Sequence, residues 1–127
     1  MRTISKQELD KIIDNHKLWL SSNGEKGERA NLRSADLSSA DLSYADLSSA
    51  DLSSADLDFS TFPLWCGGLD VHIDDRQATQ LIYHLIRNVK FSKNTSAKLK
   101  RICKIKSLVK QANEFHRTNE CGKIEEE

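Results

Sequence analysis

The sequence predicts a solenoid flanked by helices, a mainly β fold with α caps, and three observations lead there. From Ala30 the chain reads ANLRS, ADLSS, ADLSY, ADLSS, ADLSS, ADLDF, a five-residue period in which Ala, Asp and Leu recur. Neither an α-helix nor a flat strand can bury leucines at that period. On both sides of the run, apolar residues return at helical spacing instead.

Five residues of α-helix turn through about 500°, which offsets successive leucines by about 140° and spreads them around the whole helix. On a flat strand an odd period sends Leu37, Leu42 and Leu47 to opposite faces in turn. The remaining simple option is a chain that turns through a fixed angle every five residues, so that each leucine points at one axis.

The run resembles the pentapeptide-repeat family, whose consensus is Ala, Asp or Asn, Leu, then two variable residues. STFPL, from Ser60 to Leu64, continues the register with Phe62 at the leucine position. The resemblance implies a short right-handed quadrilateral β-helix of about two coils. It also implies that Leu32, Leu37, Leu42, Leu47, Leu52, Leu57 and Phe62 point inward, with Ala30, Ala35, Ala40, Ala45, Ala50, Ala55 and Ser60 as the small inward positions. Asn31, Asp36, Asp41, Asp46, Asp51 and Asp56 then face outward or brace the corners. So short a stack leaves both open ends exposed, and the flanks are expected to cap them.

On the N-terminal side, Ser5 and Glu8 have capping-box spacing, and Leu9, Ile12, Ile13, His16, Trp19 and Leu20 share one helical face. This predicts a helix over 6–20, ended by a loop containing Gly24 and Gly27. After the repeats, alternation in WCGGLDVHI predicts a last strand over 69–73. Asp74 and Gln77 begin a second helix over 75–90, with Ala78, Leu81, Ile82, Leu85, Ile86 and Val89 on its apolar face. A third helix over 97–117 carries Ile102, Ile105, Leu108, Val109, Ala112 and Phe115, and an acidic tail over 119–127 reads as disordered. The chain is thus read as a single domain, 1–127: an N-terminal cap over 1–24, repeats over 28–73, C-terminal helices over 74–118, and the tail.

Formal charge is zero over 127 residues, but it is divided along the chain. Between Glu28 and Leu64 there are seven acids and two bases; from Arg76 to Asn113 there are ten bases and no acid. No apolar run is long enough to span a bilayer, and MRTISKQELD lacks the apolar core of a signal peptide, so a cytoplasmic chain without membrane contact is expected. Cys66, Cys103 and Cys121 are odd in number and widely spaced, which predicts free thiols.

Two classes of binding function follow from the divided charge. A coil carries about four aspartates over one inter-strand rise, comparable in linear density to duplex DNA. Asp36, Asp41, Asp46, Asp51, Asp56 and Asp58 are therefore the candidate partner-binding residues of a DNA mimic. The family resemblance adds that some pentapeptide-repeat proteins look like duplex DNA and inhibit gyrase. It points to an anti-defence inhibitor of phage or mobile-element type, whose protein partner is a nucleic-acid-handling enzyme such as a CRISPR effector (an anti-CRISPR role), a nuclease or a topoisomerase. The alternatives are a structural interaction scaffold, or direct nucleic-acid binding through Lys98, Lys100, Arg101, Lys104, Lys106 and Lys110. Pairing of the basic helix with the acidic coil of a neighbouring molecule allows a homodimer beside the monomer.

An enzyme is not expected. His16 sits in the middle of an apolar helical face, and its reading is a packed histidine. Asp70, His72 and Asp74 alternate on one strand face, but no Cys or second His completes a metal set. Tyr83 and His84 fall on the polar side of the second helix, either as a recognition patch or as packing against the third. No nucleophile–base pair or phosphate loop is identifiable, and neither cofactor nor metal is expected.

Overall fold

The computed structural model describes residues 1–126. The helices are α1 (Lys6–Ser21), α2 (Asp75–Phe91), α3 (Ala97–Ile102), α4 (Lys106–Ala112) and α5 (Thr118–Cys121), with a 3₁₀ turn at Cys66–Gly68 between α1 and α2. The chain divides into two compact units, Met1–Asp74 and Asp75–Glu127, each with its own hydrophobic core.

The expectation of a mainly β fold is overturned. Among the described residues there is no β-strand and no sheet, and the quadrilateral β-helix is not seen; β pairing is limited to isolated parallel bridges. Backbone geometry gives the reason. The first-position N–H donates to the carbonyl of the preceding leucine, as in Ala40 to Leu37 at 3.0 Å and Ala50 to Leu47 at 2.8 Å, closing a tight turn in every repeat. At Ser34, Ser39, Ser49, Ser54 and Phe59 the fifth residue sits at φ of 58° to 66°, left-handed backbone that no strand can contain. The chain bends away after each bridge, before a ladder can begin.

What the period builds is a stack of turns. Asn31 bridges Asp51, Asp36 bridges Asp56, and Asp41 bridges Thr61, so the chain meets itself twenty residues later. Leu32 and Leu37 N–H donate to the carbonyls of Asp51 and Asp56 at 2.8 and 3.0 Å across that return. Leu32, Leu37, Leu42, Leu47 and Leu52 are fully enclosed with Ala35, Ala50 and Ala55, and Phe62 packs partly buried against them.

The strand expected over 69–73 is a single bridge, Asp51 to His72, and its offset has grown to twenty-one. The added residue is taken up at the 3₁₀ turn. A Cβ on Gly68 would stand 1.8 Å from the Pro63 carbonyl oxygen, so this close passage excludes any side chain.

At the other end, the Ser5–Glu8 capping box forms both of its bonds. Arg2 exchanges backbone hydrogen bonds with Ser34 and Asp36, both 2.7 Å, and so covers part of the first turn. Leu9, Ile12 and Ile13 pack on the leucine core. His16 is completely buried: its Nδ1 accepts from Ala30 N–H at 3.0 Å, and Nε2–H donates to the Ser48 carbonyl at 2.8 Å. One neutral tautomer satisfies both bonds and ties α1 to two separate repeats. Trp19 stacks on the ring, with centroids 5.7 Å apart.

In the second unit, four helices replace the two expected. The stretch read as one helix over 97–117 breaks at Cys103–Ile105, where Ile105 leaves helical geometry at ψ 121°. Cys103 and Val109 both enter the core. In one unbroken helix these residues would point about 120° apart, and the break lets both face inward. Ile102 and Ile105, expected in the core, are exposed in consequence.

The apolar face expected for α2 is also corrected. Thr79, Tyr83, Ile86 and Val89 are buried, whereas Leu81 and Leu85 face solvent. Tyr83, placed on the polar side from spacing, stacks on Phe115 at 4.6 Å, and its hydroxyl donates to the Gly122 carbonyl while accepting from Arg87. Part of the tail read as disordered is ordered, since α5 runs into it as far as Cys121 and Ile124 is anchored. Ile124 is buried, and Asn113 both donates to its carbonyl and accepts from its N–H, at 2.9 and 2.8 Å. Glu127, the last residue of that tail, lies outside the described residues.

Candidate protein-binding surface on the repeat unit

Each repeat aspartate is first a turn brace. Oδ1 of Asp36, Asp41, Asp46 and Asp51 accepts the backbone N–H of the serine two residues on, at 3.0 to 3.1 Å. The same oxygen accepts that serine's hydroxyl, at 2.5 to 2.8 Å. This is the Asx turn, in which a short carboxylate imitates the next peptide carbonyl. Asp56 repeats it with the N–H of Asp58, and Asn31 with that of Arg33.

At Asp36, Asp41 and Asp51 these bonds favour the ionised form. Asp36 is lowered below the ordinary value by the Ser38 hydroxyl and then its N–H. Asp41 falls to about 2 through the Ser43 hydroxyl, the Ser43 N–H and the Thr61 hydroxyl. Asp51 is lowered chiefly by the Ser53 hydroxyl against an opposing burial effect, with smaller help from the Ser53 N–H and the charges of Arg33 and Arg29.

The stack does not bring the acids onto one surface. Asn31, Asp51 and His72 align in one column, Asp36 and Asp56 in a second, Asp41 and Thr61 in a third. Asp46 begins a fourth, where Leu47 N–H meets the Gly67 carbonyl at 2.7 Å. Only the second column repeats an acid, and Arg33 pairs with Asp51 at 3.6 Å.

A different group of side chains does converge. Tyr44 and Leu64 are 89% and 95% exposed, and with Phe62, Trp65 and Ser43 they line an open groove of about 640 Å³. Tyr44 also borders a second depression, of about 330 Å³, with Asp10, Asp14 and Asp41 around it and Lys17 among them. The two hollows meet at the tyrosine, giving an apolar groove with an acidic rim. Sequence reasoning missed it because Tyr44 occupies a variable position and Leu64 and Trp65 lie past the clean repeats. One usable signal was present: Tyr44 is one of two aromatic residues, with Phe59, in the six repeats from Ala30 to Phe59.

Of the basic candidates, Lys98, Arg101, Lys104, Lys106 and Lys110 are exposed. Lys100 is committed elsewhere, its Nζ donating to the carbonyls of Val89, Lys90 and Ser92 at 2.9, 3.3 and 2.6 Å. Val89 and Lys90 lie in the last turn of α2 and Ser92 directly follows it, so that ammonium acts as a helix cap. Asp74, drawn beside His72 as a possible metal ligand, accepts from Ser54 N–H at 2.5 Å. Among the described residues no cluster of three metal-ligating side chains occurs. The three cysteines are free thiols, and no helix is long and apolar enough to cross a membrane.

Tight turns every five residues, an enclosed leucine file and a twenty-residue return define a stack of repeats. Residues 29–63 match the family model described as Pentapeptide repeats (8 copies), so that segment is a run of pentapeptide repeats. Comparison with curated proteins and with solved structures returned no match.

Proposed function

We propose that the repeat unit is a non-catalytic scaffold that docks a protein partner in the acid-rimmed apolar groove at Tyr44. One observation carries the reading: the recurring acids are used inside the coil as turn braces, whereas Tyr44 and Leu64 stand almost fully exposed around one groove. Exposed aromatic and aliphatic side chains on a rigid frame are the usual core of a protein interface. The acidic rim selects a partner that brings cations beside its apolar residues.

A second reading is inhibition of a nucleic-acid-handling enzyme by mimicry of DNA. It is favoured by the stacking of Asp36 on Asp56 across one return, which places two carboxyl groups in one column. The two readings separate cleanly by mutation. Asp36, Asp46, Asp51 and Asp56, none of them on the groove's rim, changed to Asn keep the turn acceptor, as Asn31 does naturally, and lose only charge. Tyr44→Ala with Leu64→Ser removes the groove's outer walls and leaves the core intact. Affinity capture from bacterial lysate, compared across these variants, is expected to lose its partner with the groove variant and keep it with the Asn variant. The reverse pattern would establish mimicry and overturn docking at the groove.

A further inference from the structure

We infer that the occupant of the Tyr44 groove is a second copy of this chain, which inserts the cationic, apolar face formed by α3 and the start of α4. The inference rests on the docking reading above and names its partner. The break at Cys103–Ile105 leaves Leu99, Ile102 and Ile105 at 47%, 44% and 51% exposure. Lys98, Arg101, Lys104 and Lys106 are exposed among them, and no acid occurs between Arg76 and Asn113 to weaken their field.

Phosphate backbones offer nothing to three outward aliphatic side chains, so nucleic acid accounts for half of this surface. An apolar groove rimmed by Asp10, Asp14 and Asp41, which outnumber the Lys17 among them, accounts for both halves. The aliphatic residues meet Tyr44, Phe62 and Leu64, while the cations meet the rim. Each chain carries one groove and one cationic face, so the contact is heterologous, between unlike patches of two copies. Charge sets its register and its salt dependence, and apolar burial holds it.

The test is sedimentation equilibrium of the full chain at low and high salt, with two charge-reversed variants. One carries Lys98→Glu, Arg101→Glu and Lys104→Glu; the other carries Asp10→Lys and Asp14→Lys on the solvent side of α1. The wild-type chain is expected to self-associate, more weakly in high salt, and each variant alone to be monomeric. Mixing the two variants should restore association, because the reversed faces again complement each other. A wild-type chain that stays monomeric, or association that survives both reversals, would overturn the inference.

A photo-reactive amino acid at position 44 separates this inference from the docking reading. Cross-links from position 44 to the segment 98–106 of a second copy support both. Cross-links in cells to another protein and none to a second copy overturn the inference while leaving the groove a docking site. No cross-link of either kind overturns both.

Discussion

The two units bury leucine by opposite means. In the repeat unit the backbone itself turns every five residues, so Leu37, Leu42 and Leu47 reach the core whatever lies outside the coil. In the helical unit the backbone presents every face equally, and tertiary contacts choose which one is buried. The choice fell on Tyr83, with its Phe115 stack and its two hydroxyl partners, over Leu81 and Leu85. Periodicity decides burial when it is written into turns, and only suggests it when written on a helix.

The sharpest test of that difference sets one leucine against another. Leu47→Ala should cost about 2–5 kcal/mol, the range for a fully enclosed leucine replaced by a cavity. Leu85→Ala, at 60% exposure, should change stability by no more than about 0.5 kcal/mol. Denaturant unfolding of the two variants checks both, and a similar loss in each would erase the contrast.

The join between α1 and the repeats comes next. His16→Ala leaves the Ala30 N–H and the Ser48 carbonyl buried without partners. At about 1–3 kcal/mol for each orphaned group, the loss should reach about 2–6 kcal/mol in the same measurement. In the helical unit Tyr83→Phe keeps the ring on Phe115 but removes the hydroxyl shared by Gly122 and Arg87. A loss of about 1–3 kcal/mol is expected, with earlier proteolysis of the segment after α5.

The smallest effect is in acid. Asp41 has a folded pKa of about 2, below its ordinary 3.8, so the fold favours the ionised form. Its contribution is complete above the ordinary value and is lost as pH falls through about 2, with Asp36 and Asp51 acting in the same direction. An acid titration followed by circular dichroism should show loss of the repeat unit across that window. Asp41→Asn, which cannot titrate, should flatten the transition there and lose near neutrality the small stabilisation that the charge supplied.

How much of this was legible in the sequence follows the same division. The leucine file, the small alanine positions and the α1 capping box could be read directly, because each depends on residues a few positions apart. The absence of strands could not, because inward-pointing leucines are compatible with either short bridges or continuous ladders. The left-handed serines that decide between them have no composition signal of their own. The break at Cys103–Ile105 contains neither Gly nor Pro, and its cause is the burial of Cys103 and Val109 together. Among the site residues, the aspartates were visible but their first role was hidden in the serine two positions on. The groove at Tyr44 needed the return of the chain to assemble it.

The central claim is that the recurring aspartate is a turn acceptor before it is a charge. Thermal unfolding of two fourfold variants tests it most directly, one with Asp41, Asp46, Asp51 and Asp56 changed to Asn and one with the same four changed to Ala. Asn retains the acceptor that Asn31 already supplies, so that variant should unfold close to the wild-type chain, while the Ala variant should unfold far earlier or fail to fold. Equal stability of the two variants would contradict the account.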